Sequence, residues 1–462
     1  GGSLLTTTPK RITIKNLAFS YPKTDRIVLQ NISFEIKQGQ HVAIVGENMR
    51  NVPGVIAKVF SPLGRNGINV KAISQGSSEI NISIAIQEHD LKKALKVLHQ
   101  SLFSKEMQQL HLYLIGAGSV GRRLIEMIQA QQPYLESQRI SLKICGLSNS
   151  RKMIVNESSI DTHKAISLLD QSEETTNLEK LTNQIFENNL ENSVFIDSTA
   201  SDATLPFYLE LLSKSVAVVA ANKRANSQSM TFYKQLKSAS IARNIPFHYE
   251  TNVCAGLPVI NVLRSLVLSG DVVIKIEAVL SGTLNYLLSE YDGSTSFQEL
   301  VKVAKDIGYT EPDPRDDLSG MDVARKSLIL ARECGWEIEL NDIEVTPLMP
   351  EESASAATVA TFFDTLAPYN AIFQKKYEEA SAAKNKLRYV ASIENGKANI
   401  SLIEVNDEHA FYSLKGTENC ISLTTKYYQK YPMVIKGPGA GIDVTAAGLL
   451  ADIVRIAEGL RS

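Results

Sequence analysis

The sequence predicts an α/β protein of about three domains, and three observations support that prediction. The chain has 462 residues, more than one hydrophobic core usually organises. Apolar runs typical of buried strands alternate with amphipathic helix patterns over residues 107–245. A strand–helix–strand–strand–helix order precedes them in residues 41–103, and alternating strand patterns return in residues 386–405. We therefore expect a doubly wound parallel sheet, with a small α+β module before it and an α+β domain after it.

Composition and charge narrow the classes of function. The formal net charge of −2 gives no electrostatic case for binding nucleic acid or an anionic membrane surface. No apolar run approaches the ~20 residues that cross a bilayer, and residues 1–10 lack a signal-peptide pattern. The four cysteines are scattered, which predicts neither a zinc site nor a disulfide framework. These features favour a cytoplasmic enzyme with a small-molecule substrate.

Residues 1–40 predict a β-hairpin with no activity of its own. Residues 11–36 alternate in the strand pattern on both sides of a Tyr-Pro-Lys turn. Together with the strand that ends at Gly46, they resemble the opening of an ABC-transporter nucleotide-binding domain. That family continues into a glycine-rich loop that holds phosphate, whereas here the next residues are Glu47-Asn-Met-Arg50. ATP binding is therefore not expected, because the phosphate-binding elements supply most of such a site.

Residues 41–106 predict a regulatory module. A strand at His41–Val45 leads to a helix that starts near Pro53, and a helix over Asp90–Phe103 follows two further strands. The first of these two strands is expected at residues 68–73, and a Gln-Gly-Ser-Ser turn separates it from the second. This order resembles the ferredoxin-like ACT domain at the end of aspartate kinases.

The ACT resemblance implies that an amino acid binds at the loops of this module. Asn51, Gln75 and Ser77 are the candidate contacts, and the alternative is that they only form turns and caps. Aspartate kinases normally carry a pair of such modules behind a kinase domain. Neither a second module nor a kinase core is found in the sequence, so we expect no kinase activity from this chain.

A glycine-rich turn indicates a dinucleotide site. An apolar strand at His111–Ile115 precedes Gly-x-Gly-x-x-Gly spacing, and an amphipathic helix follows it, which is the Rossmann context. Gly116 permits the tight turn, Gly118 lets the backbone approach a pyrophosphate, and Gly121 allows helix and strand to pack closely. A chance glycine loop is the alternative. The residues expected to contact the cofactor here are Gly116, Ala117, Gly118, Ser119, Val120 and Gly121.

The ends of later strands predict the rest of the cofactor site. The next strand ends in Ser148-Asn-Ser-Arg151-Lys152, with no acid for the ribose hydroxyls of NAD. Arg151 suits a 2′-phosphate, which predicts NADP(H) while admitting NAD(H); the alternative is that these cations are only solvated. Thr199 and Lys223 each follow a later strand that should open onto the same crevice. Lys223 would place a positive charge near the nicotinamide and the reacting carbonyl.

An acidic stretch from Gly308 to Lys326 contains further candidate functional residues. It contains Glu311 and Asp317, and a helix then carries Asp322 and Lys326 one turn apart on the same face. A carboxylate at that spacing favours the charged, proton-bearing form of the lysine. The alternative is a solvated, acid-rich helix start, which the helix dipole also favours.

Several motifs in combination resemble the homoserine dehydrogenase portion of bifunctional aspartate kinase–homoserine dehydrogenases, from about Gly46 onwards. Besides the glycine loop and the acidic stretch they are Asn-Lys-Arg-Ala-Asn at 222–226, Ala-Gly-Leu-Pro at 255–258, Leu-Ser-Gly-Thr-Leu at 280–284 and Gly-Pro-Gly-Ala-Gly-Ile-Asp-Val-Thr-Ala at 437–446. The resemblance implies an NAD(P)-dependent oxidoreductase that reversibly reduces L-aspartate 4-semialdehyde to L-homoserine, in threonine, methionine and isoleucine biosynthesis.

The same resemblance implies roles for the site residues. The match of Lys326 is the proton donor, although Lys223 matches a lysine also argued to transfer the proton, and the sequence leaves both open. The match of Asp322 binds substrate, and those of Glu311 and Asp317 approach its amino group or organise the site.

The resemblance further implies a glycine near the nicotinamide and a sodium site made mostly of backbone carbonyls. Gly441 matches that glycine. Cys254 stands where the family commonly has glycine, and a positive φ there would strain a cysteine. The residues that match the sodium site are Glu250, Val253, Ala255 and Leu257.

The predicted organisation has four parts and one competing function. A homodimer or higher homo-oligomer is implied, with threonine as the amino-acid effector. The alternative is an amino-acid sensor with an inactive dehydrogenase fold, which the intact set of catalytic residue types opposes. The predicted parts are a hairpin fragment (1–40), an ACT-like module (41–106), an NADP-binding Rossmann domain (107–245 plus 432–462) and a substrate-binding and dimerisation domain (246–431).

Overall fold

The fold is that of a computed structural model, which describes residues 11–20, 27–37, 41–45, 54–75, 81–103 and 107–460. The chain divides between Met107 and Gln108 into two units. The first unit begins with strands β1 (Arg11–Ser20) and β2 (Ile27–Lys37), which pair antiparallel. The hairpin expected from the alternating pattern is thereby confirmed.

The strand–helix–strand–strand–helix order of the small module is also confirmed. Strands β3 and β4 flank β5 in one antiparallel sheet, and the two helices pack Val59, Leu63 and Val97 against Ile82 and Ile84. The elements are β3 (His41–Val45), α1 (Val55–Arg65), β4 (Ala72–Gln75), β5 (Asn81–Ala85) and α2 (Leu91–Phe103).

The strand predicted at residues 68–73 lies later in the chain. Ile68 is instead buried in the core, and β4 covers Ala72–Gln75, which pair with β5. Hydrophobic alternation alone could not reveal where the short partner strand begins.

The second unit opens with the predicted Rossmann fold. Its six strands are ordered β11-β10-β9-β6-β7-β8, and all are parallel except β8, which runs antiparallel to β7. The order reverses between β6 and β9, where such sheets bind ligands at the strand ends. The elements are β6 (Gln108–Ile115), α3 (Ser119–Ser137), β7 (Ile140–Ser148), β8 (Met153–Val155), α4 (Ala165–Gln171), α5 (Leu178–Asn188), β9 (Ser193–Asp197), α6 (Leu205–Ser213), β10 (Ala217–Ala220), α7 (Met230–Arg243) and β11 (Phe247–His248).

The substrate half is a six-stranded mixed sheet with helices around α12. The strand order is β13-β15-β14-β12-β16-β17, so the strands predicted near 386–405 do extend this sheet. The elements are α8 (Ile260–Leu268), β12 (Val273–Val279), α9 (Gly282–Glu290), α10 (Phe297–Asp306), α11 (Pro314–Leu318), α12 (Met321–Glu333), β13 (Ile343–Val345), α13 (Glu351–Ala354), α14 (Val359–Leu366), α15 (Tyr369–Ala382), β14 (Lys386–Glu394), β15 (Lys397–Val405), β16 (Glu418–Thr425) and β17 (Met433–Pro438).

Helix α16 (Ile442–Gly459) returns to the Rossmann domain, where it packs on α3, β6 and β10. Its buried face includes Leu449 and Ile453. Among the residues that the structure describes, none of the helices combines the length and the apolar run needed to cross a bilayer.

Candidate active site

The glycine loop after β6 forms one wall of a cleft at the reversal of strand order. Gly116 has a φ of +97°, which favours glycine, and a Cβ there would lie 2.9 Å from the Thr199 methyl carbon. A Cβ on Gly121 would lie 2.4 Å from the Gly116 carbonyl oxygen, so helix α3 can approach β6 only through glycine. Gly118 faces open space, because a Cβ there would have no neighbouring atom within 4 Å. The N-terminus of α3 thus borders an open, backbone-lined space that suits an anion.

The residues after β9 complete that wall. The Ser198 amide donates to the Ile115 carbonyl at 2.9 Å, and its hydroxyl donates to the Gly116 carbonyl at 2.7 Å. These bonds hold Thr199 against the glycine turn, as expected for two strand ends that open onto the same crevice.

Asp197, at the end of β9, organises the loops around it. The carboxylate is fully buried, and it lies beside the loop that leads to Lys223. It accepts hydrogen bonds from the Thr199 amide (2.8 Å), the Thr204 hydroxyl (2.5 Å), the Tyr208 hydroxyl (2.7 Å) and the Asn222 side-chain amide (3.0 Å). This role of Asp197 was not predicted from the sequence, although an acid at the end of an apolar strand was an available signal.

Asp322 brings the two predicted lysines together. One carboxylate oxygen lies 2.8 Å from Lys326 Nζ and the other lies 2.8 Å from Lys223 Nζ. Lys326 also donates to the Leu280 carbonyl at 2.7 Å, a backbone contact that side-chain identities could not reveal. The predicted one-turn pairing of Asp322 and Lys326 on α12 is confirmed, and Lys223 joins them from the end of β10.

The charges of this trio hold each group in its ionised form. Burial favours the neutral carboxyl, but the positive charges of Lys326 and Lys223 outweigh it and lower the pKa of Asp322 well below its usual range. Burial alone would lower the pKa of Lys326, yet the Asp322 carboxylate raises it above the ordinary lysine value. Lys326 is the deeper lysine, with a side chain 10% exposed against 33% for Lys223. The site therefore contains a buried ammonium beside a carboxylate that faces the cleft.

Asp317 and Glu311 form an acidic rim beside the trio. The Glu311 amide donates to the Asp317 carboxylate at 2.8 Å, and the Glu311 side chain is exposed. Burial, and then the nearby charges of Glu311 and Asp322, raise the pKa of Asp317 although hydrogen bonds from the Glu311 amide and Thr283 oppose the shift. The crowding of carboxylates makes this rim a place where a cation is favoured.

Other acids in the same stretch have structural roles, as expected for a helix start. Asp313 caps α11 by accepting the Arg315 amide at 3.0 Å and also binds the Arg315 guanidinium.

The segment that follows β11 has positive φ angles, as considered above for Cys254, which stands at a position where the family commonly has glycine. Cys254 has a φ of +56° and Ala255 a φ of +51°, so two side chains occupy the left-handed region. The Glu250 carboxylate is already used, since it accepts the Ile260 amide at 2.7 Å and the Asn261 amide at 3.0 Å.

The carbonyls of the predicted ion site differ in availability. The Glu250 carbonyl accepts the Val253 amide at 3.4 Å, and the Leu257 carbonyl accepts the Val259 amide at 2.9 Å. Within the described part of the chain, no backbone amide donates to the carbonyls of Val253 or Ala255.

The start of α16 packs against the Ala-Gly-Leu-Pro motif at residues 255–258. Gly441 has a φ of +137° and directly precedes the helix. A Cβ on Gly256 would lie 2.4 Å from the Val444 carbonyl oxygen, which requires glycine in the Ala-Gly-Leu-Pro motif. The buried Asn419 amide donates to the Cys254 sulfur at 3.4 Å. Backbone contact therefore holds the start of α16 against this motif, and Gly441 lies at that helix start.

Arg151 presents an exposed guanidinium just beyond the end of β7. The Asn149 side-chain oxygen accepts hydrogen bonds from the backbone amides of Arg151 and Lys152, both at 2.8 Å. These bonds fix the shape of the turn. The Lys152 amine donates to the Asp170 carbonyl at 2.5 Å, whereas the Arg151 side chain has no hydrogen bond or ion pair among the described residues. Arg151 is thus the cation of this turn that remains available to a ligand.

Of the predicted effector contacts, one lies in the described part of the first unit. Gln75 is exposed at the end of β4. Asn51 and Ser77 lie outside the described residues.

Glu333 anchors the far end of α12, which also carries Asp322 and Lys326. Its carboxylate is buried, with 2% exposure. It accepts hydrogen bonds from Tyr233 (3.1 Å), Lys237 (3.0 Å), Arg264 (2.8 Å) and Tyr249. Tyr233 and Lys237 lie on α7 of the Rossmann domain, whereas Glu333 lies on α12 of the substrate half. This cluster therefore joins the two halves of the second unit. The cluster was not predicted from the sequence, since its members are far apart in the chain.

Comparison with known proteins shows three matching family models. The model described as homoserine dehydrogenase matches residues 258–454, and the model described as homoserine dehydrogenase, NAD binding domain, matches residues 116–250. A third, described as an ACT domain, matches residues 42–102.

A curated relative extends beyond the matched region. The chain is 38% identical over 421 residues to bifunctional aspartokinase/homoserine dehydrogenase 2, chloroplastic, of Arabidopsis thaliana. The match covers 90% of this chain and 46% of that protein. The chain thus spans about half the length of the curated relatives it matches.

Solved structures share the fold of the second unit. A Candida auris protein of unknown function matches with a TM-score of 0.70 and 34% identity, over 76% of this chain and 98% of that one. A hyperthermophilic archaeal homoserine dehydrogenase in complex with NADPH matches with a TM-score of 0.59 and 20% identity, over the same 76% and 98%. At that identity the second likeness shows the fold alone.

Proposed function

The chain belongs to the homoserine dehydrogenase family, and on that premise we propose that it reversibly reduces L-aspartate 4-semialdehyde to L-homoserine with NADP(H). The observation that carries the proposal is the Asp322 carboxylate held between Lys223 and Lys326, 2.8 Å from each. The strand that leads to Lys223 belongs to the same sheet as the glycine loop, so the trio lies at the edge where a dinucleotide would bind.

The residues of the crevice fit a dinucleotide. The space in front of Gly118 is open, and the N-terminus of α3 favours a pyrophosphate there. Gly116 to Gly121 and Thr199 would hold the cofactor, and Gly441 would border its nicotinamide. The Arg151 guanidinium, which has no ion pair among the described residues, suits a 2′-phosphate, and this is the basis for proposing NADP(H) over NAD(H). When bound, the nicotinamide supplies the hydride for the carbonyl carbon.

Lys326 is the residue that we propose to protonate the carbonyl oxygen. Its ammonium has three N–H donors, of which two are directed to Asp322 and the Leu280 carbonyl. The third remains for the substrate oxygen. The raised pKa keeps the proton on the amine at neutral pH, and its transfer to the developing alkoxide leaves a neutral amine that the solvent reprotonates.

Lys223 has a supporting role in this proposal. Its amine forms an ion pair with the carboxylate oxygen of Asp322 that Lys326 does not contact. It also adds positive charge beside the reacting oxygen. Its greater exposure makes it the less well fixed of the two lysines, although it is also a proton donor by chemistry. Separate alanine and arginine variants of each lysine would distinguish the roles, because arginine keeps the charge but does not release a proton.

The acidic rim would bind the ammonium group of the amino-acid substrate. Burial and neighbouring carboxylates raise the pKa of Asp317, and a cation placed between Asp317 and Glu311 would relieve that repulsion. We expect Glu311→Gln to raise KM for homoserine with little change in KM for the cofactor.

A sodium ion is part of the proposal in a limited form. The carbonyls of Val253 and Ala255 accept no backbone hydrogen bond among the described residues, while those of Glu250 and Leu257 are already engaged. Hard cations prefer such oxygens. The reaction rate measured in sodium against tetramethylammonium salts tests the requirement, and equal rates would remove the ion from the proposal.

Regulation and assembly extend the proposal. Threonine is the proposed effector of the ACT domain, with Gln75, Asn51 and Ser77 as contacts; a flat rate during threonine titration would reject it. A homodimer is supported by exposed apolar side chains near the β16–β17 turn, including Tyr427, Tyr431 and Val434, and light scattering would measure it. All four cysteines lie among the described residues and none of them forms a disulfide, which fits a reducing compartment such as the cytoplasm.

The central test is homoserine-dependent reduction of NADP⁺, followed at 340 nm. We expect turnover by the folded protein and its loss in Lys326→Ala. The competing function is an amino-acid sensor with an inactive dehydrogenase fold. Folded protein with no turnover on NADP⁺ or NAD⁺, but with threonine binding by calorimetry, would favour the sensor.

A further inference from the structure

A second cavity lies in the substrate half, and none of its lining residues belongs to the catalytic site. Its volume is about 630 Å³, within the range of roughly 300–1,000 Å³ typical of ligand pockets. The last turns of α9 and α15, the start of β14 and the loop at Tyr412–Lys415 surround it. We call it the basic cavity.

Four cationic side chains line the basic cavity, namely Lys384, Lys386, Arg388 and Lys415. Within the described ranges none of them forms an ion pair with a carboxylate. The carboxylate of Glu418 accepts the Lys415 backbone amide at 2.9 Å, but its ion pair is with Lys436, at 3.1 Å. The positive charges of the cavity are therefore not neutralised by the fold.

Arg388 is the most deeply placed of the four cations, with 1% of the residue exposed. Its guanidinium donates only to backbone carbonyls, those of Leu387 (2.9 Å), Phe411 (3.0 Å), Tyr412 (3.2 Å) and Leu414 (2.9 Å). Carbonyls satisfy the N–H groups but carry no net charge, so the buried cation lacks a counter-ion. Burial accordingly lowers the pKa of Arg388.

The charged form of the Lys386 amine is disfavoured in the same cavity. Burial, followed by the positive charges of Arg388 and Lys415, lowers the pKa of Lys386. Its amine lies 4.5 Å from the centroid of the Tyr412 ring, a contact that attracts a cation without neutralising it. An anion in the cavity would relieve the repulsion among the three cations.

Two acids also border the cavity but do not cancel its charge. Asp292 is engaged locally, since its carboxylate accepts the Ser294 amide at 2.8 Å and the Ser294 hydroxyl at 2.6 Å. Glu290 lies at the exposed end of α9. Four cations against two acids leave the cavity positive.

The basic cavity is also lined by aromatic and apolar side chains. Phe373 is fully buried, and the rings of Tyr291 and Tyr377 meet edge to face with centroids 5.1 Å apart. Leu414 and Ala380 complete this surface. A ligand that contacted both the cationic and the apolar side chains would need an anionic group and an apolar body.

We propose that the basic cavity binds a small organic anion, with an aromatic or apolar body and a carboxylate or phosphate group, at a site separate from the catalytic cleft. The anion faces Lys386, Arg388 and Lys415, and the body lies against Tyr291, Tyr377 and Phe373.

The test is calorimetric titration of the whole chain with naphthalene-2-carboxylate, with 2-naphthyl phosphate, and with the neutral naphthalene-2-carboxamide. We expect both anions to bind and the carboxamide to bind at least about tenfold more weakly, because one charge-assisted contact contributes about that factor. The tighter of the two anions identifies the charged group that the cavity prefers.

Variants locate the binding. Lys386→Ala/Lys415→Ala should raise Kd for the anions about tenfold or more, whereas Lys397→Ala/Lys426→Ala, exposed lysines of the same sheet outside the cavity, should leave it unchanged. Lys326→Ala should also leave it unchanged, since that residue lies in the cleft. Equal affinity for the carboxamide, an unchanged Kd in the cavity variant, or no binding at millimolar concentration would overturn the proposal. If the cavity variant failed to melt like the parent, the comparison of anion with carboxamide would still decide.

Discussion

The catalytic cleft and the basic cavity both gather lysines, but their charges are balanced in opposite ways. In the cleft, Asp322 lies between Lys223 and Lys326, and its carboxylate raises the pKa of Lys326. In the cavity, no carboxylate pairs with Lys386 among the described residues, and burial together with neighbouring cations lowers its pKa. A paired lysine keeps both its proton and its position, which suits proton transfer. An unpaired group of cations instead keeps its attraction for an anion that must come from outside the fold.

The strongest test of this contrast compares a lysine from each place. Lys326→Ala should lower kcat for homoserine oxidation about 10³-fold, because general acid–base catalysis contributes about 10²–10⁴-fold. Lys386→Ala, the matched variant in the cavity, should keep nearly the parent rate. Initial rates at 340 nm measure both, and circular dichroism checks folding. A Lys326→Ala protein with rates within about tenfold of the parent would remove Lys326 as the proton donor.

A third group of cations, Lys237 and Arg264, is paired with the Glu333 carboxylate. Removing that carboxylate would leave these cations unpaired, like those of the basic cavity. Glu333→Gln leaves Lys237 and Arg264 buried without their carboxylate, and we expect unfolding to become easier by about 3 kcal/mol. Guanidinium denaturation measures this change. Glu337→Gln is the control, since Glu337 pairs with Lys234 in solvent, with 65% of its side chain exposed.

The same cluster predicts a pH dependence. Burial raises the pKa of Glu333, but the charges of Lys237 and Arg264 outweigh it and lower the value to about 2. A carboxylate with a lowered pKa stabilises the fold above its ordinary pKa, and this contribution is lost as the pH falls towards 2. Stability of the parent should therefore decrease more steeply than that of Glu333→Gln between about pH 4.5 and pH 2. Parallel curves would show that Glu333 does not carry this charge interaction.

Neutralising the carboxylate of the cleft should make Lys326 resemble a cavity lysine. In Asp322→Asn, burial loses the largest charge that opposes it, so the pKa of Lys326 should fall. Reduction of the semialdehyde needs the protonated amine, and its rate should decline at a pH at least about one unit lower than in the parent. A pH–rate profile of kcat checks the shift. An unmoved alkaline limb would assign that limb to another group.

The smallest expected effect concerns Arg151, an unpaired cation at the edge of the crevice. Arg151→Ala should raise KM for NADP⁺ about tenfold, the effect of one lost charge-assisted contact, while KM for NAD⁺ changes little. Lys152→Ala is the matched control, because the Lys152 amine already donates to the Asp170 carbonyl. A similar change in both cofactors would argue against a 2′-phosphate contact.

The spacing of residues along the chain predicted the features that depend only on residues close together in the sequence. The glycine spacing after an apolar strand predicted the Rossmann turn, because Gly116 has a positive φ and Gly121 lies against the Gly116 carbonyl oxygen. The spacing of Asp322 and Lys326 predicted their contact, because residues four apart share a helix face.

Contacts between distant segments were not predictable in the same way. The approach of Lys223 to Asp322 depends on how two domains pack, and the Leu280 contact uses a carbonyl that every residue possesses. The Glu333 cluster joins side chains from α7, α8 and α12, with no local pattern to indicate it. The displacement of β4 has a similar cause, since the pairing of a strand depends on the length of its neighbour.

The position of α16 has a consequence for synthesis of the protein. This helix packs on α3 and β6, yet in the chain it follows the entire substrate domain. On the ribosome, the apolar surface of α3 that α16 covers must wait exposed while the intervening residues emerge. The dinucleotide domain therefore cannot complete its folding first, although its strands are translated first. Its nascent form is expected to depend on chaperones that shield apolar surface until α16 arrives.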